Sequence, residues 1–220
     1  MASNNAFLGW LLVPALSFCP GPVTALDPQH PVVASLRMDG LPSFGVCGVG
    51  RFSPNARFLT FSCEDGALAP DDTNGRYDAF LLDRWTGVID RLSVSSSGQQ
   101  MNFPSGARSP SNDGQLALFW GAGPLHPDYG AYPTMDVGHT AVYLRHRATG
   151  ITDLISRDAF GQAITLGSAT LYDTHFGQNE VLLGYTGDLR LGSAPISGAA
   201  SHIWVKNWVT GTVELISGTP

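Results

Sequence analysis

Short apolar runs alternate with turn signals along the chain, and they are ordered as antiparallel hairpins. The clearest stretch, 51–95, contains two hairpins. The first has a strand ending at Phe52, a Ser-Pro-Asn turn and an apolar strand over 57–62. The second has a strand over 77–83, a Trp-Thr-Gly turn and a strand over 89–94. Apolar and β-branched runs bounded by Gly, Pro, Asn and Asp are typical of strands and turns, so this stretch predicts one four-stranded antiparallel unit.

The same unit returns twice, which predicts repeats over 45–104, 105–166 and 167–220. Three Thr-Gly turns anchor their register, at Gly87, Gly150 and Gly211. A fixed period with four strands per repeat is typical of β-propellers, because one such sheet cannot bury its faces without a neighbour. A β-sandwich also has many short strands, but it does not explain why the whole pattern repeats. The fold class is therefore predicted to be all-β, with about three propeller-type blades.

An extra strand is predicted over 31–37, inside a segment 26–44 that we interpret as an orphan outer strand and linker. Three blades and one strand are fewer than the four blades that propellers usually need to close. The chain is therefore expected to be a fragment or degenerate repeat protein, to close by association with another copy, or to form an open arc. An open arc exposes strand edges and apolar faces, which favours self-association.

Residues 1–25 resemble an export signal. The apolar run over 6–18 is too short to span a bilayer, and Val23-Thr24-Ala25 predicts cleavage after Ala25. The first five residues contain no Lys or Arg, which is unusual for such a signal. A lipoprotein anchored at Cys19, or a buried or frayed terminal segment, are the alternatives. The segment predicts a secreted or periplasmic protein that is not integral to the membrane.

The charge composition of the chain narrows the classes of partner that we expect. The chain of 220 residues has 12 Lys and Arg against 18 Asp and Glu, and its formal net charge is −6. Nucleic acids and anionic lipids attract positively charged surfaces, so neither is an expected partner. The 26 glycines and 15 prolines favour many turns over long helices.

Cys47 and Cys63 flank the first hairpin at equal distances from Asn55 in its turn. They are therefore expected to lie opposite each other on neighbouring strands, within reach of a disulfide bond. An exported protein permits that bond. Two reduced, buried thiols are the alternative.

The loop Asp71-Asp72-Thr73-Asn74-Gly75-Arg76-Tyr77-Asp78 is the best candidate for metal binding. Ca²⁺ prefers carboxylate and amide oxygens in a tight loop, which makes Asp72, Asn74 and Asp78 candidate calcium ligands. The spacing departs from an EF-hand loop. The alternative is a turn rich in Asp and Asn whose side chains bond to local backbone amides.

No pattern indicates catalysis. The chain lacks a Gly-x-Ser-x-Gly motif and a His-x-x-x-His or His-Glu-x-x-His spacing. Without an activating base, its serines are expected to be hydrogen-bonding turn residues. No catalytic residue and no organic cofactor is therefore predicted.

The first repeat resembles the TolB-type, WD40-like propeller repeat known as PD40. The residues that carry the resemblance are Phe61-Ser62, Asp72-Thr73-Asn74-Gly75, Asp78, Asp83, Thr86-Gly87 and Arg91-Leu92-Ser93. Ser53-Pro54-Asn55-Ala56 replaces the usual Asp-Gly turn of that repeat. The resemblance covers about 31–220, is close in the first repeat and weakens towards the third. It implies a propeller fold, an exported or periplasmic location and an interaction platform, or the non-catalytic propeller beside a hydrolase domain.

The sequence therefore predicts an exported, non-catalytic binding domain for a protein or glycan partner. The loops between the second and third strands of the repeats, over 64–76, 121–138 and 186–200, are its expected binding surface, because a rigid scaffold holds them. The alternatives are the propeller part of a glycan-processing or peptidase-associated hydrolase, and a truncated repeat protein.

Overall fold

The computed structural model describes residues 34–127, 140–156, 171–176, 181–187, 202–207 and 209–216. These ranges contain the strands β1 (Cys47–Phe52), β2 (Phe58–Cys63), β3 (Asp78–Asp83), β4 (Ile89–Arg91), β5 (Ser105–Pro110), β6 (Leu116–Gly121), β7 (Ala141–His146), β8 (Ile151–Leu154), β9 (Leu171–Phe176), β10 (Val181–Gly187), β11 (His202–Asn207) and β12 (Val213–Leu215). They form three four-stranded antiparallel sheets of consecutive strands, which we call blade 1 (β1–β4), blade 2 (β5–β8) and blade 3 (β9–β12). The predicted all-β architecture of three propeller-type blades is confirmed.

The Thr-Gly turns join the third and fourth strands of the blades. Gly87, Gly150 and Gly211 have φ angles of 74°, 70° and 74°. Each donates its backbone N–H to the residue four positions earlier, over 2.8 to 2.9 Å. Glycine adopts this left-handed conformation without the steric cost that a side chain brings, which explains why the turn repeats.

One strand ends earlier than the sequence predicts. β4 stops at Arg91, although the apolar pattern continues to Val94. Ser93 turns its hydroxyl inward, where it donates to the Asp78 carboxylate and accepts a hydrogen bond from the Ala79 N–H. Val94 is left with a single bridge to Gln100. The Leu92 N–H still donates to the Ala79 carbonyl over 2.7 Å, and beyond it the polar contact of Ser93 takes the place of strand pairing.

Blade 2 packs on blade 1 through a shared apolar core, because β5 lies against β1, β2 and β3. Phe58 and Leu81 of blade 1 meet Phe119 and Tyr143 of blade 2 in this core. The Phe119 and Tyr143 rings stack with centroids 5.3 Å apart. Both rings belong to blade 2, and because aromatic rings bury large apolar areas, they supply much of the apolar surface that blade 2 contributes to the shared core.

Polar groups align the two blades. The Thr60 hydroxyl donates to the Arg108 carbonyl, and the Ala107 N–H donates to the Ser62 hydroxyl over 2.9 Å. At the hairpin turns, the Asn55 backbone N–H reaches the Asn112 side chain over 3.0 Å. The buried backbone of β5 thereby finds partners on the neighbouring sheet, as buried polar groups must.

The segment 34–44 precedes blade 1. Leu36 bridges Pro42 across a tight turn, and the Met38 N–H donates to the Ala67 carbonyl over 2.9 Å. Residues 1–33 lie outside the described residues, and 34–37 contain only the isolated bridge at Leu36, so the export signal over 1–25 and the extra strand and linker over 26–44 stay predictions. In the part of the chain that the structure describes, no helix is long and apolar enough to cross a membrane.

Candidate functional site at the loop end of blades 1 and 2

Three connections meet at one end of blades 1 and 2. They are the loop 64–77 between β2 and β3, the linker 92–104 between β4 and β5, and the segment 122–127 that follows β6. In an antiparallel sheet of consecutive strands, the second and fourth strands end on the same side. The loop and the linker are therefore neighbours, and we call this surface the loop end.

The Asp78 carboxylate is buried where the loop 64–77 enters β3. It accepts hydrogen bonds from the Ser93 hydroxyl and from the Asn74 amide, the latter over 2.9 Å. Burial disfavours the ionised form and raises the pKa of Asp78 to about 6, and the two hydrogen bonds oppose that effect. Asp78 is therefore a structural anchor of the loop whose charge changes just below neutral pH.

Asp72 holds the middle of the loop against β4. Its Oδ1 atom lies 3.5 Å from the Arg91 guanidinium, and its side chain is 2% exposed. The Oδ2 atom is buried and makes no hydrogen bond to any described residue. The Arg91 guanidinium therefore supplies the positive charge nearest to this carboxylate.

The structure brings the three predicted calcium ligands into one loop, where every polar side-chain atom except Asp72 Oδ2 has a partner among the described residues. Asn74 directs its amide hydrogens to Asp78, and its Oδ1 accepts the Arg76 backbone N–H over 2.8 Å. Within the described ranges there is no group of three or more His, Cys, Asp or Glu side chains suited to a metal ion. The bond at Asn74 Oδ1 is that of an Asx turn, and the Asn74 amide also donates to the Met101 carbonyl over 2.7 Å. Calcium binding by Asp72, Asn74 and Asp78 stays a prediction.

Gln100 ties the loop to the linker. Its amide donates to the Thr73 hydroxyl over 2.6 Å, and its carbonyl oxygen accepts from the Thr73 backbone N–H and from Arg91, both over 3.2 Å. Sequence analysis missed Gln100, because no local pattern indicates that it reaches a loop 27 positions away. These bonds hold the loop and the linker as one surface.

A cleft of about 740 Å³ opens between the linker and blade 2. Its lining includes Gln99, Asn102, Phe103, Leu125 and His126. Phe103 is 36% exposed, so part of its ring faces the solvent. Apolar walls with a few amide and hydroxyl groups are typical of ligand sites, and an exposed ring with adjacent amides suits a sugar or a peptide.

The cysteines lie at the base of the loop end. The pairing of β1 with β2 places Cys47 directly opposite Cys63, with Cα atoms 4.1 Å apart, and their sulfur atoms lie within bonding distance. A bulge between Val49 and Phe52 gives β1 one extra residue, and without it Cys47 would face Glu64. The geometry permits the disulfide bond, which itself stays a prediction.

Comparisons with known proteins add a distant likeness. No protein-family model and no curated protein matches the chain. Among solved structures, a protein assigned as TolB from Agrobacterium tumefaciens is 14% identical, with a TM-score of 0.42 over 80% of this chain and 49% of that protein. TolB from Acinetobacter baumannii is 15% identical, with a TM-score of 0.38 over 80% of this chain and 33% of that protein.

The β-propeller domain of the Trilobed protease from Pyrococcus furiosus is 10% identical, with a TM-score of 0.39 over 77% of this chain and 42% of that protein. The chain thus spans half or less of the length of these three structures. At such similarity these structures add no argument, and the assignment of a propeller-type fold depends on the three sheets and on the packing of blade 2 against blade 1 described above.

Proposed function

We propose that the chain is an exported, non-catalytic β-propeller-type binding domain that presents its loop end to a protein or glycan partner. The single observation that carries this proposal is the cleft between the linker and blade 2, which combines an exposed aromatic ring with amide side chains. The Gln100 bonds to Thr73 and Arg91 hold one wall of this surface in place. A preorganised surface loses little entropy when a partner binds.

The lining of the cleft favours an uncharged ligand. Phe103 and Leu125 supply apolar area, while Gln99 and Asn102 supply donors and acceptors at the edge. Sugars and peptides match this combination, since the C–H face of a sugar or the plane of a peptide group packs on a ring, while sugar hydroxyls and peptide N–H and C=O groups bond to side-chain amides. The net charge of −6 does not favour nucleic acid.

The proposal includes a secreted or periplasmic location for the chain. A secreted or periplasmic location fits the signal-like segment 1–25, and it would allow the bond between Cys47 and Cys63 to form. That bond would join β1 to the residue before the loop 64–77. It would therefore hold the base of the loop end together covalently.

Binding at the cleft can be measured with an array of soluble oligosaccharides and a library of short peptides. Phe103→Ala should lower the affinity for whichever class binds by about tenfold or more, because it removes a stacking ring. Trp85→Ala is the matched control, since Trp85 is an exposed aromatic residue in the β3–β4 turn at the opposite end of blade 1.

Equal affinities of the two variants and the unmodified chain would overturn the assignment of the cleft. Absence of binding to either class would overturn the proposed ligand chemistry. Turnover of the same oligosaccharides or peptides by the purified chain would instead support the alternative of a hydrolase.

A further inference from the structure

The contact between blades 1 and 2 defines two faces of a blade. The outgoing face packs against the following blade, and the incoming face packs against the preceding blade. The strand pairing makes Ser53 equivalent to Ser111 and Asp90 equivalent to Asp153 and Glu214. By this equivalence, the incoming face of blade 1 carries Val49, Phe52 and Arg84, and the outgoing face of blade 3 carries Glu214 and Ile216. In the described part of the chain, neither face is packed against another blade.

Arg147 shows how an incoming face is held. Its Nη1 donates to the Gly114 carbonyl over 2.8 Å within blade 2, and its Nε and Nη2 both donate to Asp90 of blade 1. The Nε contact is 3.0 Å long. One guanidinium therefore binds the β5–β6 turn of its own blade and, through two charge-assisted hydrogen bonds to Asp90 Oδ2, the preceding blade.

Arg84 occupies the same position in blade 1 and repeats half of this arrangement. Its Nη1 donates to the carbonyl of Ala56, the equivalent of Gly114, over 2.6 Å. Its guanidinium lies over the Phe52 ring, 5.5 Å from the centroid. Its Nε and Nη2 make no hydrogen bond to any described residue. Arg84 is thus placed to receive an acidic side chain from a preceding blade.

Glu214 in β12 of blade 3 offers such a side chain. It pairs with Val205 as Asp90 pairs with Leu81, and it is exposed. Ile216 is 50% exposed, whereas its equivalent Leu92 is completely buried in the core between blades 1 and 2. The outgoing face of blade 3 therefore carries an acid and an apolar side chain at positions that a following blade covers elsewhere.

Apolar residues complete the incoming face. Val49 is 80% exposed, whereas its equivalent in β5, Ala107, is 6% exposed. Phe52 is also exposed, and its equivalent Pro110 is buried. An exposed apolar patch beside a cation matches an exposed apolar side chain beside an anion.

We propose that the chain associates with a second copy of itself, head to tail, so that the outgoing face of blade 3 of one copy covers the incoming face of blade 1 of the other. In this contact Arg84 receives Glu214 as Arg147 receives Asp90, and Ile216 packs towards Val49 and Phe52. Two such contacts close a ring with twofold symmetry. Two copies of three blades give six, within the range of about four to eight that propellers use.

The inference deepens the proposed function, because it names one protein partner, but it concerns faces that the loop end does not include. The two proposals therefore fail separately. Loss of ligand binding in Phe103→Ala does not depend on the mass of the assembly, and a monomeric chain could still bind a ligand at the cleft.

The test is the solution mass of the full chain across a range of concentrations, by analytical ultracentrifugation. A dimer is expected for the unmodified chain. Arg84→Glu and Glu214→Arg should each raise the dissociation constant by about tenfold or more, because each places like charges together in both contacts. Arg76→Glu and Glu64→Arg, at exposed loop positions, are the matched controls and should leave the mass unchanged.

An equimolar mixture of the two single variants gives the sharpest result. In a mixed pair, one contact joins the two substituted side chains, a carboxylate at position 84 and a guanidinium at position 214. The second contact keeps the original Arg84 and Glu214, so the dissociation constant should return to within about threefold of the original. Val49→Asp is an independent test that does not change position 84 or 214, and it should also weaken the dimer. A monomer at every concentration, or a dimer that neither charge reversal weakens, would overturn the proposal.

Discussion

β1 and β5 occupy the same place in neighbouring blades and have opposite surroundings. Both have six residues, a one-residue bulge near their end and the same register against the next strand. β5, with the sequence Ser-Gly-Ala-Arg-Ser-Pro, is almost completely buried. β1, with Cys-Gly-Val-Gly-Arg-Phe, is almost completely exposed. The more polar strand is therefore the buried one.

The difference shows that burial here depends on the neighbouring sheet rather than on the composition of the strand. β5 is covered because blade 1 supplies side-chain hydroxyls that pair with its backbone, from Thr60 and Ser62. A buried polar backbone is stable only when such partners exist. β1 has an apolar pattern suited to a cover that the described residues do not supply, which is the physical basis for the proposed association.

The largest difference in stability should be seen when a carboxylate is placed at the equivalent positions Ala107 of β5 and Val49 of β1. Ala107→Asp introduces a carboxylate into the core between the blades and should lower the free energy of unfolding by about 3 kcal/mol or more. Val49→Asp places it on an exposed site of β1 and should change that free energy by about 0.5 kcal/mol or less in the monomer.

Urea titrations of both variants, followed by tryptophan fluorescence at a concentration below the dissociation constant of the dimer, measure the two values. Comparable losses of stability would contradict the stated difference between the two strands. In that case Val49 would be buried by a part of the chain outside the described residues.

A second contrast concerns Asp78 and its equivalent in blade 2, Ala141, which are both fully buried. The pKa of Asp78 is raised to about 6 in the folded state, above its ordinary value of 3.8, chiefly by burial. The folded state therefore binds its proton more tightly than the unfolded state. Stability should rise as the pH falls from about 7 through the folded pKa, and the gain should be complete below about pH 4.

Asp78→Asn isolates this contribution. The difference in the free energy of unfolding between the unmodified chain and the variant should change by about 2 kcal/mol between pH 7 and pH 4. Chemical denaturation of both proteins at each pH gives that difference and removes the effects of other carboxylates. A difference that stays constant with pH would show that Asp78 titrates normally.

The smallest difference in stability is expected between substitutions in the first hairpin turns of blades 1 and 2. Gly114 has a φ of 67°, and a Cβ atom there would lie 2.5 Å from the Phe58 ring, so Gly114→Ala should lower stability by about 2 kcal/mol. Ala56 is the equivalent residue of blade 1, with a φ of 57°. Ala56→Gly should raise stability by about 1 kcal/mol, because it removes only the backbone strain. Thermal melting compares the pair, and a loss of stability in Ala56→Gly would contradict this account.

The sequence predicts the blades well, because their signals are local. Thr-Gly turns with positive φ, apolar runs and Asp-Gly or Ser-Pro-Asn corners each act within a few residues. The sequence also predicts that Cys47 lies opposite Cys63, and the strand pairing agrees. The argument from equal spacing around Asn55 was incomplete, however, because the two residues face each other only when the bulge in β1 is included. A bulge has no clear signal in the residues Gly50-Arg51.

The site and the faces were harder to predict, because they form when sheets stack. Gln100 reaches Thr73 only after the linker folds back over the loop. Arg84 and Arg147 look alike in sequence, each three residues before a Thr-Gly glycine, and only the neighbouring Asp90 distinguishes them. At the equivalent turn position, blade 2 has Gly114, which leaves room for the Phe58 ring of blade 1, whereas blade 1 has Ala56.

The ties between blades 1 and 2 have a consequence for the order in which the chain folds. Asn55 bonds to Asn112, and Thr152 bonds to the Val94 carbonyl, over separations of 57 and 58 residues. Each tie thus joins a residue to one about a single repeat away. A blade emerging from the ribosome can therefore dock on the blade completed before it, without waiting for the distant end of the chain. Synthesis from the amino terminus would then cover the apolar face of blade 1 as soon as blade 2 is complete.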